Sequence, residues 1–206
     1  MIDELVKFFV LLIVVVEPVT LVPVFASMTE GATDEYKRHM SFKAVIVSGL
    51  VLALFALAGA WFIAMMGISM AAFRIAGGVM LFLIALEMVF ARESGTKTTS
   101  EEKTEVQQRA DISVFPLAFP FIAGPGALAT VLLTFGTLKP DWLLTLGLLA
   151  VIALVLLVTL VFLLLTPLVN RVMGVTGAHV VSRLAGVVLA ALAVQFMVDG
   201  LKGAFS

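Results

Sequence analysis

Six long apolar stretches make up most of this chain, and they limit what it can fold into. They cover, approximately, residues 5–27, 43–66, 68–90, 112–136, 141–169 and 175–203. Each is at least as long as the roughly 20 apolar residues that a helix needs to cross about 30 Å of hydrocarbon. With 62% hydrophobic and 13% charged residues, the 206-residue chain has more apolar surface than a soluble domain could bury. The sequence therefore predicts an all-α polytopic membrane protein with six transmembrane helices.

The rest of the composition excludes several other classes of protein. The run Leu143–Leu165 is continuously apolar, whereas a β-barrel strand alternates apolar and polar residues. A net charge of −1 gives no reason to expect a nucleic-acid partner. The chain has no cysteine, and His39 and His179 are isolated, so we expect neither a metal centre nor a cofactor. The lipid bilayer is the expected environment, and a homo-oligomer remains compatible with the sequence.

The distribution of Lys and Arg between alternate loops predicts the orientation in the membrane. Eight of these residues fall on one side: Lys37, Arg38, Lys43, Arg92, Lys97, Lys103, Arg109 and Arg171. The other side has Lys7, Lys139 and Lys202. Residues 91–111 are therefore predicted to form a cytoplasmic linker loop, with both termini on the extracytoplasmic side.

The chain also repeats itself within this single transmembrane domain. A shift of 107 residues places Pro18 on Pro125 and Met66-Gly67 on Met173-Gly174. A shift of 109 places Arg74, Ala76, Gly77 and Met88 on Arg183, Ala185, Gly186 and Met197. We interpret these matches as two repeats, at approximately residues 1–95 and 110–206. Three spans per repeat is an odd number, so the second repeat must be inverted relative to the first, as in many secondary transporters.

Helix-breaking residues interrupt the first span of each repeat. The first span contains Glu17-Pro18 and Pro23, and the fourth contains Pro116, Pro120 and Gly124-Pro125-Gly126. Proline removes a backbone donor, and glycine permits unusual backbone conformations. Broken helix inside a membrane is tolerated only where it is buried in protein or lines a cavity. The freed N–H groups at the start of the following half-helix favour an anion such as a carboxylate.

These breaks define the candidate site. The predicted substrate-binding residues are Glu17, Pro18, Thr20, Pro23, Gly124, Pro125, Gly126, Ala127 and Thr130. Glu17 is costly inside a membrane, so it needs a partner or a function. It could bind a substrate ammonium, carry a coupling proton, cap a half-helix, or be a neutral structural acid.

Three further features of the spans have more than one interpretation. Arg74 is a plausible partner for Glu17, in either a structural ion pair or a gating pair. Its repeat mate Arg183 is a second gating candidate, unless it only extends toward the membrane interface. Gly77-Gly78 and Gly186 are expected to permit close helix packing rather than to bind a ligand.

The second break also resembles a known family. Its sequence, Phe115–Ala127, has the pattern Pro-Leu-Ala-x-Pro-x-x-x-Gly-Pro-Gly and is similar to that of the MarC family of inner-membrane proteins, which includes SnatA-type carriers of small neutral amino acids. Pro18, Pro23 and Phe25 before the Thr29 turn, and Arg74–Gly78, extend the resemblance over the whole chain. The first break departs from the family pattern, because Glu17 replaces Asn or Asp and Thr20 replaces Gly.

The resemblance implies a multi-pass protein of a prokaryotic inner membrane that carries glycine- or alanine-like substrates, coupled to a proton or a sodium ion. We therefore expect a secondary transporter that works by alternating access, and not an enzyme. A passive channel for a small polar solute is the first alternative, although breaks within spans favour a carrier. A membrane-embedded enzyme is less favoured, because the chain shows no paired nucleophile and base and no cluster of metal ligands.

Overall fold

The computed structural model describes residues 1–90, 111–138 and 140–205, and every regular element in these ranges is helical. The elements are α1 Ile2–Val16, α2 Pro18–Met28, α3 Asp34–Met65, α4 Met70–Phe90, a π-helical segment Ser113–Ile122, α5 Pro125–Leu138, α6 Trp142–Leu164 and α7 Thr166–Phe205. An all-helical chain with several membrane-spanning helices is thereby confirmed. Of the predicted linker 91–111, all but Asp111 lies outside the described residues.

The described helices include five that are long and apolar enough to cross a membrane. They are Ile2–Met28 (α1 with α2), Asp34–Met65, Met70–Phe90, Trp142–Leu164 and Thr176–Phe205. The π-helical segment and α5, bent by 55° relative to each other, form a sixth crossing if the pair counts as one span. The predicted stretch 141–169 extends too far, because α6 ends at Leu164 and α7 begins at Thr166.

Local sequence explains where two of the long helices begin. The Thr33 side chain accepts a hydrogen bond from the N–H of Tyr36 (3.3 Å), which caps α3. The Asp141 carboxylate accepts one from the N–H of Leu144 (2.8 Å), which caps α6. Such caps satisfy N–H groups that have no partner within the helix.

The helices α4 and α7 pack against each other along conserved spacing of glycine within this chain. A Cβ atom on Gly78 would lie 2.7 Å from Met197 Cγ and 2.8 Å from the carbonyl oxygen of Ala193. A Cβ atom on Gly186 would lie 2.8 Å from Met88 Cβ and 3.0 Å from the carbonyl oxygen of Ala85. Side chains larger than hydrogen would force the two backbones apart at these positions. The prediction that Gly78 and Gly186 permit close packing is confirmed.

The π-helical segment is held against α3 by polar contacts at two levels. Lys43 of α3 forms a salt bridge with Asp111, just before the segment begins. Asp111 also accepts hydrogen bonds from the Ser113 N–H (2.9 Å) and hydroxyl (2.6 Å). Deeper in the bundle, the buried Ser48 hydroxyl donates to the carbonyl oxygen of Ala118 at 3.5 Å. These contacts fix the segment that leads into the second predicted break.

Candidate functional site

The first break in the chain is centred on Glu17. Helix α1 ends at Val16, α2 begins at Pro18, and Glu17 between them has φ 50° and ψ 60°. A left-handed residue commonly ends a helix, but glycine usually occupies that position. Proline suits the first position of the next helix, because its fixed φ is helical and its missing N–H would have no partner there. Glu17 is the one non-glycine residue with positive φ in the described ranges, and strain of this kind often marks functional positions.

The Glu17 side chain is buried and hydrogen-bonded across the bundle. Its exposed fraction is 7%, and its Oε1 accepts a hydrogen bond from the Ser182 hydroxyl at 2.6 Å. The Thr20 hydroxyl donates to the same oxygen at 3.3 Å. Ser182 belongs to α7 and is itself 8% exposed. The first break is thus joined to the last helix through a buried carboxylate.

The second break combines an irregular segment with a new helix start. The π-helical segment contains two residues with extended backbone, Phe115 (φ −129°, ψ 125°) and Phe119 (φ −128°, ψ 128°), each preceding a proline. A residue before proline is disfavoured in the helical conformation, which accounts for both. The hydrogen bond from the Ala123 N–H to the carbonyl oxygen of Ala118 (2.8 Å) closes the segment before α5 begins.

Two glycines of the second break are required by close contacts. A Cβ atom on Gly124 would lie 2.1 Å from the carbonyl oxygen of Pro120, which no side chain could accommodate. A Cβ atom on Gly126 would lie 2.7 Å from Ile84 Cδ1 and 2.8 Å from Val15 Cγ1. Gly126 therefore lies where the end of α1, the middle of α4 and the start of α5 meet.

A cavity of about 260 Å³ opens at this meeting point. It is lined by Val15, Met80, Leu83, Ile84, Pro120, Phe121, Gly124, Pro125, Gly126 and Ala127. The lining side chains are apolar, so the polar groups available to a ligand there belong to the backbone. Helix α5 starts at the cavity, and the first hydrogen bond of its N-terminal turn runs from the Leu128 N–H to the carbonyl oxygen of Gly124 (3.0 Å). The N–H groups of Gly126 and Ala127 precede that bond and have no partner within the helix.

Thr130 adds a polar group on the same side of α5. Gly126, Thr130 and Leu133 share one face of the helix, since they are four and three residues apart. This face is turned to α4, because Gly126 meets Ile84 and Gly77 meets Leu133. Thr130 is fully buried, and its hydroxyl has no hydrogen-bond partner among the described residues. A helical side chain leans toward the N-terminus, which places this hydroxyl over the turn at Gly126.

The structure brings together most, but not all, of the predicted binding residues. Gly124, Pro125, Gly126 and Ala127 line the cavity. Glu17, Pro18 and Thr20 form the first break, two residues beyond the cavity residue Val15. Pro23 lies within α2 and is not among the residues that line this cavity.

The predicted contact between Arg74 and Glu17 is wrong. Arg74 Nε donates to the Thr137 hydroxyl at 3.1 Å, and Arg74 Cβ lies beside Gly200 of α7. Glu17 instead contacts Ser182 of α7. Eighteen residues separate Ser182 from Gly200, or about 27 Å along a helix. Arg74 and Glu17 therefore lie at opposite ends of α7. Arg183 follows Ser182 and is exposed.

Sequence reasoning missed Ser182, because the hydrogen bond to Glu17 joins residues 165 positions apart. The one available signal was a serine next to Arg183 in an otherwise apolar stretch. It also missed the salt bridge between Lys43 and Asp111. Hydrogen bonds from Lys43, and then from Ser113, hold the pKa of Asp111 well below its ordinary value.

Comparison with known proteins places this arrangement in a family. The description "MarC family integral membrane protein" matches residues 2–205, which is nearly the entire chain. The chain belongs to the MarC family. The resemblance inferred from the second break is thereby confirmed at the level of the family.

Relatives of this MarC-family chain occur in bacteria and archaea. It is 35% identical over 199 residues to the UPF0056 membrane protein YhcE of Escherichia coli, which covers 97% of this chain and 92% of the relative. It is 36% identical over 209 residues to the UPF0056 membrane protein YvbG of Bacillus subtilis, covering 100% and 97% of the two chains. A relative from Methanocaldococcus jannaschii, UPF0056 membrane protein MJ0972, is 34% identical over 199 residues, covering 96% and 86%. No solved structure matches this MarC-family chain.

Proposed function

We propose that this chain is a secondary transporter of small neutral amino acids, glycine- or alanine-like, with one binding site between its two broken helices. The observation that carries this proposal is the cavity at the start of α5, within the membrane-spanning part of the chain. Its volume of about 260 Å³ lies just below the usual range of about 300–1,000 Å³ for ligand pockets. A small solute suits such a cavity better than a large one.

The chemistry of the site suits a zwitterion. The substrate carboxylate would accept hydrogen bonds from the N–H groups of Gly126 and Ala127, at the positive end of the α5 dipole. The Thr130 hydroxyl, buried over the same turn, is a further donor. The substrate ammonium would meet the Glu17 carboxylate or the carbonyl groups exposed at the breaks. Glu17 is also the group that could carry a coupling proton or ligate a sodium ion.

Contacts between α4 and α7 support an inverted repeat as the basis of transport. Gly78 packs on Met197, and Gly186 packs on Met88. The shift of 109 residues that relates the repeats takes Met88 to Met197 and Gly77 to Gly186. The two contacts therefore correspond to each other within one residue when the repeats are exchanged. In an inverted repeat of this kind, movement of one half against the other opens the site to alternate sides. We propose that both termini face the extracytoplasmic side of a prokaryotic inner membrane.

Substrate binding and transport can be tested separately. The purified protein is screened by thermal shift against glycine, alanine, serine and larger amino acids, and it is expected to be stabilised by the smallest neutral ones. The protein in liposomes is then expected to show saturable uptake and counterflow, in which unlabelled internal alanine accelerates the entry of labelled alanine. Unsaturable flux without counterflow would indicate a channel instead. Absence of a thermal shift with every amino acid would refute the proposed substrate class.

A further inference from the structure

The two repeats do not make the same contacts, and the difference concerns the second half of each broken helix. Helix α5 packs antiparallel on α4, with Gly126 at Ile84, Leu133 at Gly77 and Thr137 at Arg74. The repeat shifts assign α2 as the mate of α5 and α7 as the mate of α4. If α2 packed on α7 in the corresponding register, Val19 would lie at Ala193, Ala26 at Gly186 and Glu30 at Arg183.

The observed register of α2 on α7 is different. Glu17 contacts Ser182, whereas the corresponding register would place Glu17 near Gln195. The two positions are about thirteen residues apart, or about 20 Å along α7. The two halves are therefore in different conformations relative to their partner helices. An inverted-repeat carrier changes its open side when the two repeats exchange conformations.

We propose that Glu30 is a gating residue, and that it forms an ion pair with Arg183 in the second state of the protein, when the bond between Arg74 and Thr137 is open. This inference rests on the proposed function, since it requires alternating access. The shift of 107 residues takes Glu30 to Thr137, and the shift of 109 takes Arg74 to Arg183. The gate between Arg74 and Thr137, joined at 3.1 Å here, thus has a counterpart in Glu30 and Arg183.

The chemistry of the second gate supports this assignment. Glu30 and Arg183 are both exposed, and neither belongs to an ion pair in the described part of the chain. Arg183 lies seven residues inside the span that begins at Thr176, where an unpaired guanidinium is costly. A carboxylate that reaches it in the second state gives Arg183 a bidentate partner. In the same transition the hydrogen bond from Ser182 to Glu17 breaks, because α2 moves along α7.

Cysteine cross-linking tests the second gate, because the chain has no native cysteine. One variant carries Arg74→Cys with Thr137→Cys, and another carries Glu30→Cys with Arg183→Cys. Each is treated in liposomes with a short bifunctional thiol reagent, and bridging is measured by intact mass. Both pairs are expected to bridge, and either bridge is expected to reduce alanine exchange at least tenfold. A control pair, Arg74→Cys with Arg183→Cys, is expected to remain unbridged.

The outcomes separate this inference from the proposed function. If Arg74→Cys bridges to Thr137→Cys while Glu30→Cys and Arg183→Cys fail to bridge with and without alanine, the second gate does not exist. Equal bridging in the control pair would also overturn it. Bridging requires no knowledge of the substrate, so a protein that bridges at both gates but binds no amino acid would retain the gates and lose the substrate class.

A charge exchange tests the ion pair without cysteine. Glu30→Arg or Arg183→Glu alone is expected to slow exchange at least fivefold, because two like charges then meet when the second gate closes. The double variant Glu30→Arg with Arg183→Glu is expected to recover most of the wild-type rate. A double variant no faster than the slower single variant would overturn the ion pair.

Discussion

Replacing Gly124 by alanine tests the geometry of the second break most directly. The added Cβ would lie 2.1 Å from the carbonyl oxygen of Pro120, at least 0.9 Å closer than Cβ atoms are found in proteins. The neighbouring atom belongs to the backbone, so neither a rotamer change nor a flexible side chain can relieve the overlap. The chain must move by about 1 Å between Pro120 and Gly124.

The size of the effect follows from two opposing terms. Overpacking of this kind costs about 1–3 kcal/mol, whereas alanine reduces the freedom of the unfolded chain by about 0.4–1 kcal/mol. We expect a net destabilisation of about 1–2 kcal/mol. The first turn of α5 moves with Gly124, because the Leu128 N–H is bound to the carbonyl oxygen of Gly124. The N–H groups of Gly126 and Ala127 are then misplaced, and loss of one charge-assisted hydrogen bond costs about 1.5–3 kcal/mol. Affinity is expected to fall about 10- to 150-fold.

The assay is alanine binding to the purified protein by thermal shift, with the melting temperature of the unliganded protein recorded in the same series. Gly203→Ala is the matched control, since its Cβ would meet only Ala71 Cβ at 3.9 Å, an ordinary contact. The control is expected to bind alanine normally and to melt at or above the wild-type temperature, because alanine favours helix over glycine. If Gly124→Ala matches Gly203→Ala in both measurements, the second break does not have the conformation described above.

Three further predictions concern the first break, the orientation and the Asp111 salt bridge. Glu17→Gln can still accept the Ser182 hydrogen bond, so it is expected to fold and to be impaired in transport: loss of accumulation with normal exchange assigns Glu17 to proton coupling, equal loss of both assigns it to the substrate ammonium, and normal values of both remove it from the mechanism. In intact cells an impermeant thiol reagent is expected to label Ile68→Cys but not Glu35→Cys, and the reverse pattern would refute the orientation. The depressed pKa of Asp111 means that its contact with Lys43 contributes stability above the unfolded pKa of about 3.9, and loses it only as pH falls through the lower folded value. The difference in melting temperature between the wild type and Asp111→Asn is therefore expected to stay constant from pH 8 to 5 and to shrink below about pH 4, whereas a difference that vanishes by pH 5.5 would contradict this assignment.

The features that the sequence predicted well are those determined locally. Apolar length predicts a spanning helix whatever surrounds it, and the starts of α2 at Pro18 and α5 at Pro125 follow from the chemistry of proline. Gly78 and Gly186 were also correctly assigned to packing, because inside a membrane small residues have few other uses.

The features that the sequence did not predict depend on how the helices are arranged. Glu17 was recognised as needing a partner, but the choice between Arg74 and Ser182 depends on how far α1 extends before it meets α7. Lys43 and Asp111 are 68 residues apart, and no periodicity connects them. Partners of this kind are determined by relative helix position, which hydropathy does not encode.

The left-handed backbone at Glu17 places stability and activity in opposition. Glycine adopts φ 50° without the steric cost that a glutamate pays there. Glu17→Gly is therefore expected to relax the turn between α1 and α2 while removing the buried carboxylate that Ser182 and Thr20 hold. Directed evolution for thermal tolerance alone would tend to select this replacement, and the resulting protein would be a sturdier specimen for crystallography than a working carrier.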